Sequence, residues 1–161
     1  MNDLEILLEN FPVQSMKAGS IFLHQDEKVD CIYILKSGKV KIIKDDIDVA
    51  VSSVAGAVFG EMSIFMEIPH SASVVCLENS TFHVIENPAE NLAAHPELLW
   101  HIARILSVRL FNLNQYLVDL KVQFEGHDHL GMVDEVLETL MNQQQTEIYH
   151  RQDSQRDTPD Y

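Results

Sequence analysis

Positive charge is scarce in this sequence: 11 Lys and Arg stand against 25 Asp and Glu, a net charge of −14. A surface that acidic repels phosphate backbones, which argues against nucleic-acid binding along the chain as a whole and leaves room only for a local basic pocket. Cysteine is nearly absent. Cys31 and Cys76 both lie inside apolar runs, and two isolated thiols of that kind fit small buried side chains in a reducing compartment rather than a disulfide framework. No charged-then-apolar leader opens the sequence, and no apolar run approaches the roughly 20 residues of a membrane span. A cytoplasmic protein without a membrane partner is therefore expected. No Cys-His cluster, Ser-His-Asp order or phosphate loop is visible, so no catalytic residue is expected. His127-Asp128-His129 offers too few ligands at an unhelpful spacing for a metal and reads as solvated linker.

The length suits one domain with appendages, and a hydrophobic fraction of 46% is enough for a packed core. Residues 2–10 pattern as a short helix, with Asn2 and Glu5 spaced as in a capping box and Pro12 beyond its end. From Val13 to Glu86 the apolar residues come in bursts: Ile21–Leu23, Cys31–Leu35, Val40–Ile43, Val49–Val51, Ser73–Cys76 and Phe82–Ile85. Turn signals at Ala18-Gly19, Ser37-Gly38, Asp45-Asp46 and Glu78-Asn79 separate them. Short strands at intervals of roughly ten residues predict an antiparallel roll or barrel. The Lys36, Lys39, Lys41, Lys44 strip reads as a solvated hairpin face.

Asn87-Pro88-Ala89-Glu90 has the pattern of a helix start. A break at His95-Pro96 then opens a much longer helix reaching Glu125, stopped by Gly126. Within it Leu99, Ala103, Leu106, Leu110, Leu113, Leu117, Leu120 and Phe124 alternate in steps of four and three, a period of 3.5 that predicts a two-stranded coiled-coil seam. Trp100, Ile102 and Ile105 supply a second apolar face for packing on the roll. A further helix is expected over about 130–144, with Val133, Val136, Leu137, Leu140 and Met141 on one stripe; folded back on the seam in place of a second copy, it would cap the seam and leave a monomer. The last residues are polar with few apolar anchors, and disorder is expected over 146–161.

The most specific stretch runs from Phe59 to Val74: FGEMSIFMEIPHSASV. A glycine at a strand end, one helical turn, a proline and a return strand allow close backbone approach by a ligand, with the first amides of the turn available to an anion. This segment resembles the phosphate-binding cassette of cyclic-nucleotide-binding domains, approximately F-G-E-L-A-L-L followed by P-R-[ST]-A-[ST]-V. Lys17–Phe22 and Ile32–Val40 are similar to that family's first strands and its first glycine hairpin, and the long helix to its C-helix, so the resemblance covers about residues 10–125. In bacteria the assembly is familiar from transcription factors of the catabolite-activator (Crp/Fnr-like) type.

The resemblance implies a mainly β fold with flanking helices: an antiparallel β-roll (double-stranded β-helix or jelly roll), an N-terminal helix and a long dimerisation helix, over residues 1–126. An extra helix over 127–145 and the tail follow. Carried over by residue, Gly60 would approach the ligand through its backbone and Glu61 would accept from a ribose 2′-hydroxyl. Amides around Glu61 and Met62 would line the pocket, and Ser71 with the Ala72 amide would donate to a cyclic phosphate. The family's arginine falls on His70, which lacks a permanent planar fork of donors. Residues 60–80 contain no Lys or Arg, so a replacement cation has to come from elsewhere, Arg104 or Arg109.

Two functions remain open on these residues. One is a regulatory domain with another ligand or none, acting through a homodimer and a protein partner docked at the C-terminal helix or tail. The other is a sensor of cAMP or cGMP held between Glu61 and Ser71. Only 35 residues follow Gly126, with eight acids and two Arg, so a DNA-binding helix-turn-helix and a DNA partner are not expected.

Overall fold

A computed structural model of the protein describes residues 3–125 and 131–142. Helix α1 (Asp3–Leu8) precedes eight strands: β1 (Val13–Met16), β2 (Ile21–Leu23), β3 (Cys31–Ser37), β4 (Val40–Lys44), β5 (Ile47–Ser52), β6 (Val58–Phe59), β7 (Ser73–Cys76) and β8 (Ser80–Glu86). Helix α2 (Glu61–Met66) interrupts them, and α3 (Pro88–Ala94), α4 (Pro96–Gln123) and α5 (Gly131–Asn142) follow. The chain divides into two compact units, residues 1–113 and 114–161.

The strands form two antiparallel four-stranded sheets, in the orders β1-β8-β3-β6 and β2-β7-β4-β5. This is the β-roll with flanking helices expected from the sequence. Strands β1 and β6 are not among the apolar bursts; pairing with β8 and β3 makes them strands.

Strands β3 and β8 are buried on both faces, which explains why Cys31–Leu35 and Phe82–Ile85 read as continuous apolar runs rather than alternating ones. One face sends Tyr33, Leu35, Phe82 and Val84 into the roll, beside Leu23, Val40, Phe59, Val74 and Cys76. Phe22 packs there against Phe82, the rings tilted by 48° with centroids 4.5 Å apart. The opposite face sends Ile32, Ile34 and Ile85 against Leu7, Leu8, Phe11, Leu92, Leu98 and Ile102 from the helical side. Period-two alternation thus serves two cores at once.

Turn chemistry follows the residues. Asp45 and Asp46 both take positive φ, 50° and 61°, the combination a type I′ hairpin turn needs. Gln25 and Asp45 pair there reciprocally, Gln25 Nε2 donating to Asp45 Oδ1 at 2.7 Å and the Asp45 amide donating to Gln25 Oε1 at 2.9 Å. Asn87 sits at the start of α3 but makes no side-chain cap; Asn91 Nδ2 instead donates to the Glu86 carbonyl at 2.6 Å.

The long helix also departs in detail from its pattern. Its roll-facing residues are Leu98 and Ile102, both fully buried, with Ile105 partly buried against the same core. Trp100, expected on that face, is 76% exposed. Two residues from Leu98, it lies about 200° away around a 3.6-residue helix. Of the expected seam, Leu106 packs partly against the core, whereas Leu99, Leu110, Leu113 and Phe124 are exposed. Leu117 and Leu120 are half-buried and Ala103 is exposed. In the second unit, Lys121 pairs with Asp134 of α5. Of the α5 stripe, Val133 is half-buried and Val136 exposed. Cys76 is buried but Cys31 only half-buried, and both thiols are free. The His127–His129 segment, Asn2 and the tail over 146–161 lie outside the described residues.

Candidate ligand-binding site

Strand β6 ends at Gly60, whose φ of +88° turns the chain into α2. A Cβ built there would lie 2.9 Å from the Cys31 carbonyl oxygen, so the position requires glycine for space as well as for conformation. Helix α2 closes on a left-handed Glu67, and Ser63 Oγ donates to the Ile68 carbonyl at 2.5 Å. The chain then returns past Pro69 to His70, whose backbone is fixed on both sides. The His70 amide donates to the Glu27 carbonyl at 2.8 Å, and the Asp26 amide to the His70 carbonyl at 2.9 Å. Ser73 Oγ accepts from the Gln25 amide at 2.8 Å at the start of β7.

The cassette encloses a cavity of about 390 Å³. Gly60, Glu61, Met62, His70, Ser71 and Ala72, the six residues singled out from the sequence, all line it. Its other walls come from Leu23, Ile42, Val49, Val58, Phe59 and Val74 among others. Phe59 and Val74 are the two ends of the cassette stretch, whereas no motif marks Leu23, Ile42, Val49 or Val58, ordinary apolar strand residues gathered by the curl of the two sheets.

Arg109 of α4 also lines the cavity, whereas Arg104 does not. Its Nη1 donates to Glu61 Oε1 at 2.5 Å and its Nη2 to the Val58 carbonyl at 2.7 Å. The carboxylate it meets is almost enclosed: Glu61 is 3% exposed. Burial pushes the Glu61 carboxyl above the ordinary glutamate range, and the Arg109 charge pulls part of the way back. The group expected to accept from a sugar is thus engaged by α4.

His70 is 4% exposed, and its Nε2 is buried without a hydrogen-bond partner among the described residues. Burial lowers its pKa, partly opposed by Glu27, so the ring is neutral at neutral pH. His83, on the helix-facing side of β8, is also buried and is lowered chiefly by burial, then by Lys36.

These two histidines predict a pH dependence of stability. Unfolded, each binds a proton below about 6.5; folded, each resists it to lower pH. The unfolded chain therefore holds more protons in that window, so their contribution is complete above about pH 6.5 and is lost as pH falls toward the lowered values. Glu61 acts the other way, since its folded carboxyl protonates at higher pH than the unfolded one. Thermal unfolding is expected to show a lower midpoint at pH 5.5 than at pH 7.5. Replacing both histidines by glutamine should flatten that difference.

Residues 13–91, which hold all eight strands of the roll, match the family model described as cyclic nucleotide-binding domain. A cAMP-dependent protein kinase regulatory subunit from Yarrowia lipolytica is 28% identical over 99 residues, 62% of this chain and 22% of that protein. Catabolite activator protein of Thermus thermophilus superposes with a TM-score of 0.62 at 23% identity, covering 73% of this chain and 58% of that one. A cyclic nucleotide-binding domain from Methylobacillus flagellatus gives a TM-score of 0.60 at 23% identity, covering 78% and 74%. The chain spans only about a fifth of the curated yeast relative's length. No helix among the described residues is long and apolar enough to cross a membrane.

Proposed function

We propose that this chain is a regulatory module in which the roll senses a small molecule other than the cyclic nucleotides of its family and passes occupancy to α4. The observation that carries this reading is the charge state of the cassette. A cyclic phosphate is a permanent anion, and a desolvated anion needs a charge-assisted donor. Position 70 supplies a buried histidine. Among the described residues the only cation lining the cavity is Arg109, and it is already bonded to Glu61 and to the Val58 carbonyl. The same bonds join the cassette to α4, so a ligand packed against Glu61 sits one contact away from that helix.

Calorimetry with cAMP and cGMP tests this. Affinity weaker than millimolar is expected at pH 8, and His70→Arg should raise it by roughly one to two decades, since a hydrogen bond to a charged group contributes about 1.5–3 kcal/mol. Micromolar binding by the unaltered protein would instead support the second reading, a cAMP or cGMP sensor. That reading is favoured by the lining of one cavity by Gly60, Glu61, Ser71 and Ala72.

The proposal includes a homodimer through α4. Its support is the row Leu99, Leu110, Leu113 and Phe124, all at least 41% exposed, at coiled-coil spacing. Leu113→Asp is expected to convert a dimer to a monomer in sedimentation velocity, while a monomeric parent protein would refute the seam. Protein partners docked through residues 127–161 complete the regulatory reading; removing that segment should abolish their capture.

A further inference from the structure

We infer that the cavity beneath α2 selects an uncharged, largely apolar ligand bearing a hydrogen-bonding group such as a carboxamide or hydroxyl, and that His70 Nε2 is the atom that meets this group. The inference rests on the ligand-sensing reading above and adds the chemical class of the ligand.

The charge balance of the cavity comes first. Among its described lining residues only Glu61 and Arg109 are of ionisable types with a formal charge at neutral pH, and they are paired with each other. The second arm of Arg109 is taken by the Val58 carbonyl. Turning Arg109 away from Glu61 toward a ligand anion would strand a carboxylate that is 3% exposed, and breaking a buried pair from one side is strongly destabilising. Recruiting Glu61 to a ligand cation would leave Arg109 unpaired at the same wall. A neutral ligand disturbs neither bond.

The second observation is the unused polar atom. Buried polar atoms are nearly always hydrogen-bonded, yet His70 Nε2 is enclosed without a partner among the described residues, and its residue lines the cavity. The His70 backbone is held by hydrogen bonds with Asp26 and Glu27, and the ring Cε1 lies 3.7 Å from the position a Cβ on Gly60 would take. A neutral imidazole can donate or accept one hydrogen bond at this nitrogen but brings no charge. Third, Leu23, Ile42, Val58, Phe59, Met62 and Val74 make the walls apolar. They reward the burial of an uncharged framework and give a desolvated anion nothing in exchange for its water.

Matched pairs that share a framework and differ in charge test the inference on the full chain at pH 8: benzamide with benzoate, indole-3-acetamide with indole-3-acetate, and adenosine with cAMP. Titration by calorimetry or ligand-observed NMR is expected to show the uncharged member binding at least tenfold more tightly in the pairs that bind. His70→Phe, which removes the nitrogen and keeps a ring, should weaken the uncharged ligand at least tenfold. His70→Gln, which keeps a donor and an acceptor, should retain binding and also guards against a folding defect in the phenylalanine variant. Tighter or equal binding of the anions overturns the inferred class and leaves a ligand-sensing module. Failure of every member of every pair at millimolar concentration overturns both. Unchanged affinity in a folded His70→Phe protein removes His70 from the site.

Discussion

Arg109→Ala is expected to destabilise the domain by about 2–3 kcal/mol at pH 8, and by much less at pH 5. Breaking a buried ion pair from one side commonly costs about 3–5 kcal/mol, because the remaining charge is left desolvated. The lower figure allows for the exposure of the arginine side chain, 44% against 4% for Glu61, and for the water that replaces it. A midpoint roughly 10 °C lower follows for a domain of this size.

The pH dependence separates charge from packing. Burial already holds the Glu61 carboxyl above its ordinary range, with Arg109 pulling it down. Without Arg109 it rises further, and below that value the acid is neutral and the penalty disappears. A deficit equal at pH 8 and pH 5 would show that the lost interaction is packing of the arginine stem. Adding Glu61→Gln to the Arg109→Ala variant should recover most of the loss at pH 8, since no buried charge then remains.

Gly38→Ala is expected to have the larger effect on folding itself. Gly38 turns the β3–β4 hairpin at φ +111°, outside the range an L residue adopts comfortably. A Cβ there would overlap Ser80 Oγ and lie 2.6 Å from the Ser80 backbone. Ser80 has nowhere to go. It is 1% exposed, its Oγ accepts from the Lys39 amide at 3.2 Å, and the same Oγ donates to the Glu78 carbonyl at 2.9 Å. Overpacking of this kind costs about 3 kcal/mol or more when backbone must move, and the left-handed conformation adds about 1 kcal/mol. Insoluble expression, or an unfolding midpoint lowered by more than 15 °C as a rough guide, is the expected result. Ser80→Gly in the same chain should rescue only partly, because the clash with the backbone at position 80 remains. A soluble variant with a native midpoint would mean that the hairpin rearranges freely.

The hairpin and the cassette were legible because they are local. Gly38 and Gly60 stand where the backbone needs positive φ, Asp45-Asp46 where a two-residue turn needs it twice, and Pro96 where a helix restarts. The strands with strong apolar runs were legible for the same reason. The short β1 and β6 were not: Val13–Met16 carries one β-branched residue, Val58–Phe59 is two residues long, and each is a strand only because β8 or β3 lies beside it. On α4, a spacing of 3.5 marked a stripe but not the phase of the helix on the roll. Leu98 and Ile102 set that phase, which turned Trp100 to solvent and drew Leu106 partly into the core.

Residue type and spacing alone established the run of strands between helices and the continuous apolar stretches of β3 and β8, while the resemblance of Phe59–Val74 to a known cassette singled out its six residues and the histidine standing at position 70 in place of a cation. Each depends on a pattern contained within a few turns or strands. Which of two distant arginines reaches the cavity was left to tertiary packing, since Arg109 meets Glu61 across 48 positions of sequence through the seating of α4 against the roll. That contact changes the meaning of the histidine. With Arg109 held by an enclosed carboxylate, His70 stands in a cavity whose charges already cancel, a property of packing geometry that no local pattern of residues encodes.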